Sequence, residues 1–236
     1  MARINGGIIG PDNVPSGPLG SASGVWKLSD AFNYQKAGLW PVVTGITYPV
    51  ANSLRFNSGS SDSLTKNLST ATDLKTWTWS AWIKRSKLST EQGLFSGDAA
   101  STYTTSFFFD TSDRLQYKDV SAGSTRQQLI TNKLFRDISS WYNIQVVYNS
   151  TEGTASNRLK FYVNGSQETS FSTATYPSLN ETTQINSSDP TGIGKQPQST
   201  SNNLDGYMSD VYFIDGQALT PTSFGETDSV SENWKA

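Results

Sequence analysis

An all-β protein built as a two-sheet antiparallel sandwich is what this 236-residue sequence predicts. Three observations carry that expectation. Only 16% of residues are charged while 12% are aromatic, the reverse of the balance that keeps a chain disordered and one that suits half-buried strands. From about residue 50, apolar and polar residues alternate in short runs with few helical periods, the period-2 pattern of strands with one face inward. Ser, Thr, Asn and Gly gather between those runs and supply turns. No fixed-period repeat is visible, which favours a sandwich over a solenoid. The chain is therefore divided into an arm and docking segment, 1–49, and a sandwich, 50–236.

Residues 1–24 are rich in Gly, Pro and Ser and have no hydrophobic period. Such a stretch reads as an extended arm that needs a partner surface, with Ile8 and Ile9 as its apolar contacts. Ser29 is placed as an N-cap and Gly38 as a stop, which predicts about two turns of helix. Trp26 and Trp40 flank that helix and present too much apolar surface to leave in water. They pack on the chain's own sandwich or dock on a neighbouring subunit.

Within the sandwich, the run 77–85 sends Trp77, Trp79, Ala81 and Ile83 to one face and Thr78, Ser80, Trp82 and Lys84 to the other. The run 142–148 sends Tyr142, Ile144, Val146 and Tyr148 inward. Leu159–Val163 precedes Asn164-Gly165, a strong signal for a type I′ hairpin. Another strand covers Tyr207–Ile214, and Thr220-Pro221 starts a single helical turn with Pro at its first position.

Composition also bounds the chemistry. The chain has no His and no Cys, so Ser-His-Asp and Cys-His nucleophiles, imidazole and thiolate metal sites and disulfides are excluded. A formal net charge of −2 gives no support to nucleic-acid binding. No apolar run reaches the length of a membrane span, and the N-terminus has no apolar signal-peptide core. The expectation is a protein made in a cytoplasm, with no membrane and no nucleic-acid partner. Five Asn-x-Ser/Thr sequons are read as chance in a chain so rich in these residues.

Several runs follow one known order: Ser53–Asn57, Thr76–Lys84, Leu94–Ser96, Trp141–Val147, Arg158–Gly165 and Leu204–Phe213. Together they resemble the LamG-like jelly-roll of the concanavalin A-like lectin/glucanase superfamily, over about residues 50–226. The closing run Phe213–Glu226, the opening Gly6–Pro11, and the motifs Ala22–Trp26 and Gly38–Pro41 resemble structural proteins of tailed phages, marine cyanophages in particular. That resemblance implies a concanavalin A-like jelly-roll in a virion. It would be anchored by its arm to other virion proteins, with Ile8, Ile9, Trp26 and Trp40 docking. It also implies a homo-oligomer, with a trimer suggested by the usual symmetry of phage fibres. The expected role is a surface-exposed capsid decoration or fibre head that attaches weakly to host glycans. The alternative is a tail-fibre adhesin that recognises host surface polysaccharide.

Three kinds of site were weighed. Glycoside hydrolysis needs two facing carboxylates, yet no Glu-x-Asp-x-Glu run exists, and Asp210 and Asp215 fall on opposite faces of a regular strand, as do Asp110 and Asp113. Glu226 lies beyond the last strand, so no enzyme is expected. Calcium would have to use Asp98, Asp189 or Asp205, but Asp-Gly and Asp-Pro pairs read first as turn formers, so no cofactor is expected, with calcium at these positions as the alternative. Glycan recognition pairs an aromatic platform with polar hydrogen bonds. Its candidates are Trp82, Tyr117 and Tyr162, each placed on a face away from the core.

Overall fold

The computed structural model describes residues 28–39, 53–67, 73–100, 102–196, 202–229 and 232–236. The chain divides into Met1–Pro49 and Val50–Ala236. In the first unit a helix, α1, runs Leu28–Lys36, one residue earlier than the predicted cap, so Ser29 lies in its first turn. It ends as expected at Gly38, whose φ is +70°. There the Leu39 N–H donates to the Tyr34 carbonyl, a Schellman closure. The docking candidates Ile8, Ile9, Trp26 and Trp40 lie outside the described residues.

The second unit is two stacked antiparallel sheets. Its strands, in order, are β1 (Leu54–Phe56), β2 (Leu64–Asn67), β3 (Thr76–Arg85), β4 (Gln92–Ala100), β5 (Tyr103–Phe109) and β6 (Arg114–Ser121). β7 (Ser124–Leu134), β8 (Tyr142–Asn149), β9 (Leu159–Val163), β10 (Ser166–Glu168) and β11 (Phe171–Thr175) follow. β12 (Pro190–Ile193), β13 (Gly206–Asp215), β14 (Glu226–Thr227) and β15 (Trp234–Lys235) complete the set. One sheet has the order β1-β13-β3-β8-β9-β10, the other β11-β7-β6-β5-β4-β12-β2, and β14 pairs with β15 beyond them. This is the expected all-β jelly-roll sandwich. The terminal hairpin, which contains Glu226, is an addition to the predicted single turn at Pro221–Ser223.

Alternation fixes which face meets which. On β3, Trp77, Trp79, Ala81 and Ile83 are wholly buried, and their register partners on β8 are Tyr148, Val146, Ile144 and Tyr142. Trp77 stacks on Tyr148 with centroids 5.3 Å apart and planes 6° apart. Trp79 meets Phe107 of the other sheet edge-on at 4.6 Å. Aromatic pairs of this kind add to the stabilisation from burial. Truncating either Trp to Ala would cost about 3–5 kcal/mol. The β9–β10 turn has Asn164 at φ +49° and Gly165 at φ +75°, the two left-handed residues that a type I′ turn requires.

Candidate functional site

One end of the sandwich is built by β3 running out at Arg85, β13 entering at Gly206, and the β5–β6 turn. Its foundation is an ion pair inside the core. Arg85 donates from Nη2 to Asp113 Oδ1 at 3.0 Å and from Nη1 to the Phe135 carbonyl at 2.7 Å. Its guanidinium lies 4.3 Å from the Phe109 ring centroid. Asp113 also accepts from the Ser89 N–H at 2.8 Å and from Arg136 Nε at 3.2 Å. Burial by itself would raise the Asp113 pKa. The Ser89 N–H, Arg85 and Arg136 outweigh it and hold the carboxyl below its ordinary range. Burial in turn lowers the Arg85 pKa. The pair fastens the β3–β4 loop, in which Ser89 is held at φ +56°.

Above this foundation opens a cleft of about 290 Å³. The β3–β4 loop gives it Lys87, Ser89, Thr90 and Glu91; the turn after β1 gives Ser58. Thr111 comes from the β5–β6 turn, and Asn202 and Asn203 from the segment before β13. Every one of these side chains is polar. Asn202 Nδ2 donates to Glu91 Oε2 at 2.7 Å and lies 3.2 Å from Gln196 Oε1. Ser58 Oγ donates to Asp205 Oδ2 at 2.8 Å. Asn203 is 3% exposed, and its Oδ1 has no hydrogen-bond partner. A buried acceptor left unmade is costly, so the cleft is polar, pinned and short of a donor. It holds one carboxylate, Glu91, where glycoside hydrolysis would need two.

A model of the concanavalin A-like lectin/glucanases superfamily matches residues 51–223. The chain belongs to that superfamily. Among solved structures, it is similar to NanB sialidase from Streptococcus pneumoniae (K499G mutant) at 14% identity, over 73% of this chain and 27% of that one, with a TM-score of 0.51. Domains LG4-5 of the mouse laminin α1 chain share 15% identity over 75% and 45% of the two chains, with a TM-score of 0.49. The Ruminococcus gnavus IT-sialidase CBM40 shares 13% over 68% and 95%, with a TM-score of 0.47. No curated protein matches the sequence significantly. At 14% identity the sialidase structure speaks for the shared fold alone.

None of the three aromatic candidates lines the cleft. Trp82 is half-buried on the outer face of the six-stranded sheet, between Ser209 of β13 and Asn143 of β8. Tyr162 lies on the same face, on β9 opposite Gln145. Tyr117 is a correction. It is wholly buried in the core, opposite Phe107 and Leu129. It shares its parity with Leu115, and its hydroxyl donates to Gln127 Oε1 at 3.3 Å, which lets a phenol sit in the interior. Burial pushes its pKa well above the ordinary tyrosine value.

The structure also brings forward two aromatics that the sequence reading passed over. Trp141 and Tyr207, half-buried with centroids 6.5 Å apart, stand at the cleft end of the sandwich. Tyr207 is opposite Lys84 on the outer face. On the β7–β8 loop, hydrogen bonds from the Ser139 and Ser140 side chains lower the Asp137 pKa to about 2, so that carboxylate stays charged well into acid.

The acidic candidates are spoken for. Asp110 pairs with Arg114 at 2.7 Å, and Asp113 with Arg85 and Arg136. Asp210 sits in a bulge at φ +47°, so the β13 alternation assumed for Asp210 and Asp215 does not hold. Of the calcium candidates, Asp205 accepts from Ser58 and Asp189 from Ser187, and the Asp98 side chain is outside the described set. No group of three His, Cys, Asp or Glu residues that could hold a metal ion occurs among the described residues.

Proposed function

We propose that this chain is a non-catalytic surface module of a virus particle, a capsid decoration or fibre head. Its jelly-roll presents the end cleft to host surface polysaccharide, and residues 1–49 attach it to other virion proteins. The observation that supports the glycan reading is the cleft itself. Hydroxyl, amide, ammonium and carboxylate side chains converge on one space, and the buried Asn203 Oδ1 lacks a donor. Sugar hydroxyls can accept from Lys87 and exchange hydrogen bonds with the lining hydroxyls, and one would satisfy Asn203 Oδ1 if that side chain turned toward the cleft. Trp141 and Tyr207 at the same end offer flat apolar surface to a sugar ring's non-polar face. The virion part of the reading rests on the resemblance of Gly6–Pro11 and Phe213–Glu226 to tailed-phage structural proteins.

One such site binds weakly, so repetition of the module on a symmetric particle would supply avidity. The test is binding of the labelled full chain to intact host cells, with purified surface polysaccharide as competitor. Saturable binding abolished by the polysaccharide supports a receptor-reading module. No binding at high protein concentration would leave a decoration whose partner is the particle alone.

A further inference from the structure

The middle of the six-stranded sheet's outer face is polar, yet it is buried, although Tyr212 at its β13 side is 46% exposed. Thr78, Ser80, Asn143 and Gln145 all point away from the core and are 0–3% exposed. Their cover is the chain after β13. Thr78 Oγ1 donates to the Gln217 carbonyl at 2.7 Å and accepts from the Leu219 N–H at 2.9 Å. Gln145 Nε2 donates to the Leu219 carbonyl at 2.8 Å. Phe224 then lies against Tyr212, centroids 5.8 Å apart. Trp234 packs on the Asn164-Gly165 turn, so closely that a Cβ on Gly165 would fall 2.2 Å from its ring.

This cover does not complete what it covers. Ser80 Oγ and Gln145 Oε1 are register partners on adjacent strands, and neither has a hydrogen-bond partner beneath the strap. Trp234 Nε1, on the strap itself, also has none. A segment selected only to close a hydrophobic face would rest on apolar side chains and leave no such atoms. Removing it would return hydroxyls and amides to water, at the cost of the Phe224 and Trp234 contacts.

The row beneath runs Tyr212, Ser80, Gln145, Tyr162 across four adjacent strands, about 14 Å at ordinary strand spacing. An aromatic stands at each end, with a hydroxyl and an amide between, and Trp82 lies one step along β3. Phe224 meets Tyr212 at a tilt of 43° and covers part of the face that a flat apolar ring would use. We infer that residues 216–229, with Trp234 on the β9–β10 turn, are a displaceable cover over a second carbohydrate-binding row, Tyr212-Ser80-Gln145-Tyr162, separate from the end cleft. A hexose oligomer is the matching class. Its hydroxyls can donate to Gln145 Oε1 and exchange hydrogen bonds with Ser80 Oγ, atoms that the strap's peptide leaves unmet. Its ring faces suit the two tyrosines.

The test compares the full chain with a Phe224→Ala/Trp234→Ala double variant on immobilised glucan, mannan and galactan, with amide hydrogen exchange of residues 216–225 reporting strap release. The expected result is faster exchange and at least a tenfold gain in affinity for one of the polymers. Adding Tyr162→Ala or Gln145→Leu should remove the gain. A released strap with no gain overturns the inference, as does a gain indifferent to Tyr162 and Gln145. Leu219→Pro, which deletes the N–H given to Thr78, is added if exchange stays slow. Protection that persists even then also overturns it, because a cover that cannot leave regulates nothing.

Discussion

Arg85 and Asp113, 28 residues apart, meet at 3.0 Å inside the core with side chains 0% and 2% exposed, and the loop that carries half of the cleft's lining hangs from them. A buried pair of this kind is poor evidence of net stabilisation, but breaking it from one side strands a charge. Asp113→Ala should therefore cost about 3–5 kcal/mol in urea unfolding. The double change Arg85→Met/Asp113→Leu should cost clearly less than Asp113→Ala alone. A double variant as unstable as the single one would show that packing, not charge, dominates there.

Two buried carboxyls of the seven-stranded sheet and its turn, Asp113 and Asp119, have opposite pH signatures. Asp113 has a folded pKa below its unfolded value, so its contribution is present above the unfolded pKa and is lost as pH falls through the folded one. Asp119 is raised, by burial first, against the hydrogen bond from Thr105 and the charge of Arg126. Its carboxylate thus costs stability as pH rises from the unfolded pKa through the folded one. In unfolding curves taken across pH, Asp113→Asn should flatten the loss of stability below about pH 4. Asp119→Asn should instead remove a decline above it.

Tyr117→Phe should cost about 1 kcal/mol, the ordinary net value of one hydrogen bond, and leave glycan binding unchanged. Loss of binding in a folded Tyr117→Phe protein would contradict its burial in the core.

That residue also shows where the sequence stopped being legible. The Trp77–Ile83 and Tyr142–Tyr148 periods announce their faces because every inward position is apolar. On β6 the inward positions are Leu115, Tyr117 and Asp119, and an inward carboxylate, tolerated only through Thr105 and Arg126, hides the period. On β13 the bulge between Ser209 and Tyr212 shifts the alternation by one. Asn164-Gly165, by contrast, declares its turn outright. The cleft could not be read in advance, because Ser58, Glu91, Thr111 and Asn203 are common polar residues from four separate segments. The pairing of β13 with both β1 and β3 brings three of those segments to one end, and the β5–β6 turn of the other sheet adds Thr111.

Gly165→Ala should destabilise the protein by at least about 1 kcal/mol, since φ is +75° there and the added Cβ meets the Trp234 ring. The same change should quench less of the Trp234 fluorescence on denaturation, as the indole is already displaced. Unchanged stability would contradict the close packing of the strap on the β9–β10 turn.

Deleting residues 1–24 should leave the melting temperature of the sandwich unchanged while abolishing incorporation into particles. A truncated chain that still incorporates normally would contradict the anchoring role of the arm.

The measurement that reaches the central claim most directly is a titration of isotopically labelled full chain with fragments of host surface polysaccharide, followed by amide chemical shifts. Saturable shifts gathered at Ser58, Ser89–Glu91 and Asn202–Asn203, weakened about tenfold by Asn203→Ala, are the predicted result. Shifts that gather elsewhere, or none at any concentration, would contradict the assignment of the cleft as the glycan-reading site.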